Sequence, residues 1–267
     1  MKASANASAS ADGLVGGVSA ALITLNAQAH LRECLASLAW CDEIVVIDGG
    51  SSDGTTAICA EFGVRLVQAA DWPGFGKQKN RAVEQCAGEW IFSIDADEVC
   101  SEALRAQLLA FIAAPGEAAA CEMPRRSNFC GHWIRHGGWW PDRVTRLFRR
   151  GRARFSDDMV HERLLVDGPM ARLSEPLLHY TYDTLEQALA KMDRYSTLGA
   201  QQAYARGRRA TPLSALARGA WAFFRTYLLR LGLLDGGAGL MLASYNAHGT
   251  YYRYLKLWLL CRDRPIQ

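Results

Sequence analysis

The 267-residue sequence has no run of about eighteen or more apolar residues, so no segment reads as a membrane-spanning helix. Its eight cysteines, at 34, 41, 59, 86, 100, 121, 130 and 261, include no C-x-x-C pair. That spacing supports neither a zinc site nor a disulfide framework; it fits buried free thiols in a reducing cytosol. There is no G-x-x-x-x-G-K-[ST], and no G-x-G-x-x-G follows the first predicted strand, so neither a P-loop nucleotidase nor a dinucleotide-binding domain is supported. Neither charge dominates: the net charge of +3 is too weak to argue for nucleic acid as a partner. Residues 1–16 are rich in Ala and Ser, with one lysine and no apolar core of signal-peptide length. They read as a disordered tail on a protein neither exported nor integral to a membrane, with attachment at a membrane surface left open.

What is present is enough for a large core, since 50% of the residues are hydrophobic. Val18 to Leu25 reads as a strand, followed by an amphipathic helix from Ala29 to Leu38 with Leu31, Leu35 and Leu38 at helical spacing. A second strand, Glu43 to Ile47, runs into Asp48-Gly49-Gly50-Ser51-Ser52-Asp53-Gly54-Thr55, where Gly permits tight turns and Asp or Ser can cap the next helix. A third strand from Val64 to Gln68 completes a β-α-β-α-β run, which predicts a mostly parallel sheet covered by helices. A strand-end acid such as Asp48 can accept hydrogen bonds from a ribose hydroxyl or a base N–H, or simply organise a turn. Lys77-Gln78-Lys79-Asn80-Arg81 opens another helix, whose amides and cations suit a diphosphate or a solvated basic face.

The next stretch, Trp90 to Glu98, is the centre of the functional reading. Trp90, Ile91, Phe92 and Ile94 form a strand buried on both faces, which stops at Asp95, Asp97 and Glu98. In an open α/β sheet ligands sit beyond the carboxyl ends of the strands, so acid placed there faces a cleft. Two carboxylates two residues apart suit a hard cation, Mg²⁺ or Mn²⁺, shared with substrate phosphates.

Together L-I-T-L-N, I-V-V-I-D-G-G-S-S-D-G-T, F-G-K-Q-K-N-R-A and W-I-F-S-I-D-A-D-E resemble, in order, the signatures of family 2 glycosyltransferases, over about residues 18–165. The resemblance implies an α/β GT-A fold, a Rossmann-like and mostly parallel sheet flanked by helices, here with a C-terminal helical appendage. It implies a nucleotide-sugar donor contacted through Asp48 and Asp95, with Asn26, Lys77, Gln78 and Asn80 in the same motifs. The metal falls to Asp95 and Asp97, with His161 a further candidate. One departure is Gly49, where many relatives have a second aspartate.

From Cys121 to Arg150 aromatics and arginines mix, a combination that suits an anionic glycan or a packed β-hairpin with solvated arginines. G-W-W-P-D, R-L-F-R-R and V-H-E resemble a narrower branch, the lipopolysaccharide-core β-glucosyltransferases that act on an inner-core heptose. Trp140, Asp142 and Arg146 are then acceptor-binding candidates. An inverting transfer needs a carboxylate to take the acceptor proton; Glu162 is the first candidate, with Asp157 and Asp158 as rivals. The expected reaction carries glucose from UDP-glucose to a lipid-linked core oligosaccharide, at the inner face of the cytoplasmic membrane. Transfer to a polyprenyl phosphate, or a silent sugar-nucleotide or lipid-binding scaffold, are the alternatives.

The predicted organisation is a tail over 1–16, a catalytic domain over 17–182 and a helical region over 183–267. Candidate helices run from Thr184 to Arg206, Leu213 to Leu231 and Leu240 to Leu260, with D-G-G-A-G as an interruption. Aromatics and periodic cations, including Trp221, Phe223, Phe224, Arg225, Arg230, Arg253, Lys256 and Trp258, suit an anionic membrane surface or a packed appendage.

Overall fold

The computed structural model describes residues 14–156 and 163–262. In chain order its elements are β1 (Leu14–Thr24), α1 (Gln28–Ala36), β2 (Glu43–Asp48), α2 (Thr55–Glu61), β3 (Arg65–Gln68), α3 (Phe75–Glu84), β4 (Gly88–Ser93), β5 (Glu98–Cys100) and α4 (Glu102–Ala113). There follow β6 (Ala120–Phe129), β7 (His132–Trp133), β8 (Asp142–Arg149), β9 (Ala153–Phe155), β10 (Leu164–Val166), β11 (Met170–Arg172) and β12 (Leu177–Tyr182). The remainder is helical: α5 (Leu185–Ala205), α6 (Pro212–Phe224) and α7 (Gly236–Arg262). Two compact units result, one from residues 1–124 and 143–178, the other from 125–142 and 179–267.

In the first unit the strands run β3-β2-β1-β4-β8-β6. β1 pairs in parallel with β2 and with β4, and β2 with β3, while β4 meets β8 antiparallel through Trp90↔Arg149 and Phe92↔Leu147. Successive side chains of a strand point to opposite faces, and that period is visible in the core. Val18, Ala20 and Leu22 of β1, with Trp90 and Phe92 of β4, join Leu31, Leu35, Ile58, Leu104 and Leu108 from α1, α2 and α4. Ala21, Ile23, Val45, Ile47 and Ile91 belong to a second cluster, which holds Ala82 of α3. Strands buried on both faces read as continuous apolar runs, which is why β2 and β4 were legible. β1 begins four residues earlier than predicted, with Leu14 opposite Gly88, inside the stretch expected as tail.

The second unit gathers the three long helices. It also takes residues 125–142, which the predicted boundaries had put in the catalytic domain. Glycine explains this: a Cβ on Gly137 would lie 3.0 Å from Leu242 and one on Gly138 2.2 Å from Arg230, so this loop packs directly on the helical residues. Phe129, Ile134, Tyr182, Ala188 and Leu242 form its core, with Trp139 and Tyr245 against them. The Tyr182 and Tyr245 hydroxyls meet at 3.1 Å, so two buried polar tips satisfy each other. Thr184 caps α5, and Thr211 with Ser214 forms a reciprocal capping box ahead of Pro212 at the start of α6.

Between α6 and α7 the chain makes a π-helical turn at Arg225–Leu229 and a 3₁₀ turn at Gly232–Asp235. D-G-G-A-G is not an interruption beyond Gly236, because α7 starts there. A Cβ on Gly239 would fall 1.7 Å from the Gly232 carbonyl oxygen, so glycine is what lets the helix approach this turn. No helix among the described residues is long and apolar enough to cross a membrane.

Candidate functional site

Loops at the carboxyl ends of β1, β2 and β4 carry the expected donor residues, and most of their polar atoms are used to build the loops themselves. Asp48 is fully buried. Its Oδ1 accepts from Thr24 Oγ1 at 2.8 Å and Ser51 Oγ at 2.6 Å, and its Oδ2 from the N–H groups of Gly50 at 3.0 Å and Ser51 at 2.8 Å. Burial alone would raise its pKa, but the Ser51, Thr24 and Gly50 hydrogen bonds together hold it below the ordinary value. Four bonds fill the acceptor capacity of a carboxylate, so Asp48 organises the Gly49–Ser52 turn.

Asn26, in the left-handed region at φ 51°, accepts the Ser52 N–H at 2.9 Å on its side-chain oxygen. Asp53 takes the Thr55 N–H at 3.0 Å and the Gln28 N–H at 3.2 Å, and Gln28 takes the Gly54 N–H at 2.8 Å. The first two loops are thereby tied together. The cap expected from Asp or Ser differs in detail: the residue preceding α2 is Gly54, which has no side chain to offer. Gly49 has a plain reason to be glycine, because a Cβ there would sit 2.6 Å from the ring of Trp72. Trp72 occupies the space that an aspartate would need.

At the end of β4 the acid is met by cations. Arg146, only 6% exposed, donates through Nη2 to Asp95 Oδ2 and, at 2.5 Å, to Glu98 Oε1. Lys79 Nζ lies 2.8 Å from Asp95 Oδ1, and the Asp95 N–H reaches Glu98 Oε2 at 3.0 Å. Burial would push the Asp95 carboxyl up, but Arg146 and Lys79 hold it well below the usual carboxylate range. Burial likewise would lower Arg146, and Asp95 and Glu98 raise it above its ordinary value. Two carboxylates and two cations thus neutralise one another in the interior, where an unpaired charge costs several kcal/mol.

Arg146 was expected at the acceptor; its place is beneath the acidic turn. Asp142, another acceptor candidate, is paired with Arg125 at 2.6 Å, and Trp140 is half-buried in the segment before β8. In α3, Lys77 is exposed, whereas Asn80 is committed to backbone, giving 2.9 Å to Phe155 O and taking 2.8 Å from Phe155 N. Gln78 is fully buried; its Oε1 accepts from Arg81 at 3.1 Å and its Nε2 has no hydrogen-bond partner.

Asp157, Asp158, His161 and Glu162 lie outside the described residues. The residues on either side of them are joined: Ser156 N–H donates to Arg163 O at 2.9 Å, and Arg163 N–H to Ser156 Oγ at 3.0 Å.

Among the described residues no three side chains of metal-ligating type come together. A cation caged by protein alone does not fit this set. A cation held by one carboxylate and completed by substrate phosphates does fit it. Asp97 is half-buried on the same turn, and both oxygens of Asp95 already face cations.

The family model for glycosyl transferase family 2 matches residues 19–166, which span β1, the acidic turn and β10. The chain belongs to glycosyltransferase family 2. Its sheet and flanking helices are the family's GT-A arrangement, with a C-terminal helical part. Over 259 residues it is 34% identical to lipopolysaccharide core biosynthesis glycosyltransferase LpsC of Rhizobium meliloti, covering 89% of this chain and 93% of that one. An uncharacterized glycosyltransferase of Rickettsia felis is 24% identical over 261 residues, 90% of this chain and 89% of that one. The solved structure of S. aureus TarS 1-349 has a TM-score of 0.48 at 16% identity, covering 92% of this chain and 91% of that one.

Within this family 2 enzyme, sequence reasoning missed what Trp72, Glu98 and Asn80 do. Nothing in the sequence of residues 71–76, D-W-P-G-F-G, shows that an indole lies against Gly49. Glu98 adjoins Asp97 in sequence and is wholly buried, a contrast that only the turn's geometry reveals.

Proposed function

We propose that the enzyme transfers glucose from UDP-glucose to a heptose of the lipopolysaccharide inner core, with inversion at the anomeric carbon. The observation that carries this reading is the acidic turn Asp95 to Glu98 at the end of a central strand buried from Trp90 to Ser93, braced by Arg146 and Lys79. Similarity to LpsC over most of both chains supports the lipopolysaccharide core as the acceptor class. In this mechanism Asp97, together with the donor diphosphate, would hold Mg²⁺ or Mn²⁺. Such a cation would offset charge on the leaving diphosphate. The rigid Asp48 turn, joined to Asn26 and Gln28, offers backbone groups to the nucleoside. Glu162 takes the proton of the acceptor hydroxyl as its oxygen attacks the anomeric carbon, and the electron pair of the breaking bond leaves with the diphosphate.

Access to a lipid-linked acceptor is assigned to the second unit. Leu213, Leu216 and Trp221 on α6 are 75%, 59% and 56% exposed, and Leu229 and Leu234 in the following turns are 58% and 59% exposed. A contiguous chain segment this apolar suits the boundary of a bilayer. The cations expected to assist it divide. Arg225 and Arg230 are exposed, whereas Lys256 is enclosed by Asp193 Oδ1 at 2.6 Å, Ser196 Oγ at 2.8 Å and Thr197 Oγ1 at 2.7 Å. Lys256 therefore ties α7 to α5, and the membrane role rests on α6 and the turns after it.

Purified protein incubated with radiolabelled UDP-glucose, UDP-galactose and truncated core lipids, with and without Mg²⁺ or Mn²⁺, tests the reaction. Glucose transfer to a heptose-bearing core lipid, lost in Asp97→Ala while the fold persists, is the expected result. Transfer to a polyprenyl phosphate instead would overturn the acceptor.

A further inference from the structure

The tip of the hairpin of β6 and β7, residues 125–135, belongs to the second unit and holds two arginines side by side. Asn128 pairs with Trp133 and Phe129 with His132, and the Ile134 N–H donates to Ser127 O at 3.0 Å. Continuing that register brings Arg126 opposite Arg135. Like charges facing across a strand pair are destabilising. A third observation sharpens the problem: Arg126 Nε is buried with no hydrogen-bond partner. A guanidinium N–H left unsatisfied away from water is costly unless a ligand completes it.

The nearby acid does not resolve it. Asp235 Oδ2 accepts the backbone N–H groups of Arg135 at 3.1 Å and His136 at 2.8 Å, and Oδ1 faces His136 Nδ1 at 2.9 Å. Its carboxylate is spent on the loop, and neither arginine has a carboxylate ion pair among the described residues. Burial, and then the neighbouring Arg135, hold Arg126 below its ordinary pKa. Beside the pair, the Arg126 guanidinium lies 6.0 Å from the Trp133 ring, and Trp133 meets Tyr180 at 5.3 Å. Aromatic faces of this kind pack on sugar rings while guanidinium groups bind phosphate or carboxylate oxygens.

From this juxtaposition we infer that Arg126 and Arg135 form an oxyanion site that holds a phosphate or carboxylate of the acceptor glycan, with Trp133 packing on the adjoining sugar. The inference rests on the glycosyltransferase reading for its acceptor, and it moves acceptor recognition from Arg146 and Asp142, which are paired internally, to this hairpin. Arg126 and Arg135 bind and orient; the reacting atoms are handled elsewhere.

The test uses the full chain and inorganic phosphate as the probe. Titration calorimetry at constant ionic strength compares wild type with Arg126→Gln and Arg135→Gln, the second being an exposed position where folding is safe. Phosphate affinity is expected to fall about 10-fold in each variant, as for loss of a charge-assisted hydrogen bond, with UDP-glucose affinity unchanged within about twofold. The KM for an anionic core acceptor is expected to rise about 10-fold, and not for the same acceptor after its acid groups are removed. Absence of phosphate binding in wild type, or wild-type affinity in both variants, would overturn the site. Loss of phosphate binding with an unchanged acceptor KM, accompanied by weaker retention on phosphatidylglycerol vesicles, would overturn the glycan as its source in favour of a lipid headgroup. Phosphate binding at these arginines without any glycosyl transfer would sink the catalytic reading while leaving the site standing.

Discussion

Charge is arranged in opposite ways in the two units. In the first, Asp95 and Glu98 are turned inward and answered by Arg146 and Lys79, so the acid of the site is part of the interior. In the second, Arg126 is half-buried with an unanswered Nε, and α6 leaves Leu213, Leu216 and Trp221 in solvent. A buried pair that is complete holds a backbone in place. A buried donor that is incomplete, and an apolar face that is uncovered, both describe something that is missing. The first unit completes its buried charges within itself, and the partner roles proposed above fall where the second unit does not.

That contrast breaks most sharply at Arg146. Arg146→Met removes the one group shared by Asp95 and Glu98, and leaving buried carboxylates uncompensated costs about 3–5 kcal/mol. Thermal unfolding is expected to drop by roughly 10 °C. A fall of less than about 2 °C would mean that the acidic turn holds itself without Arg146.

Acid titration sharpens the same point. The folded pKa values of Asp95 and Asp48 lie below their unfolded ones, so their contribution is complete above the ordinary carboxylate range near 4 and is lost as pH falls through that range toward the folded values. Chemical denaturation between about pH 6 and pH 2.5 should show stability falling with pH, with a shallower slope in Arg146→Met. Equal slopes would assign the acid sensitivity to other carboxylates.

A smaller loss is expected at Gly49. Gly49→Ala forces a methyl group to within 2.6 Å of the Trp72 ring, an overpacking worth about 1–3 kcal/mol. In the Gly49→Ala, Trp72→Leu double variant most of that cost should return, and denaturant midpoints read it directly. Additive losses would show that the indole is not what excludes a side chain there.

The smallest effect on folding, and the largest on partners, belongs to α6. Trp221→Ser with Leu216→Ser should change stability by less than about 0.5 kcal/mol, as exposed sites do. Flotation with anionic vesicles should fall several-fold, and the residual binding should be salt-sensitive through Arg225 and Arg230. Unchanged flotation would return this face to plain solvent.

The β-α-β-α-β order was legible because burial on both faces leaves long apolar runs, as in Ile44 to Ile47 and Trp90 to Phe92. The acidic turn was legible because a buried strand that ends in carboxylates is unusual. What was not legible is the direction of each polar side chain. Asn80 and Arg146 are the residue types that meet ligands, yet one grips the backbone of Phe155 and the other lies under Asp95. Composition places such residues near a site, and only packing tells whether they face it. The arginines at 126 and 135 are the converse case, since a run of seven scattered arginines between 125 and 150 gave no reason to single out two.

The junction of Ser156 with Arg163 bears on how this enzyme could be re-engineered. Asn80 grips Phe155 by both backbone groups, and Ser156 and Arg163 bind each other, so Ser156 and Arg163 are two fixed posts. For a loop closed at its base, doubling its length adds only about 0.6 kcal/mol. Segments from relatives, longer or shorter, can therefore be grafted between Ser156 and Arg163 without rebuilding the sheet, and such grafts test whether the transfer chemistry proposed above depends on that stretch of sequence.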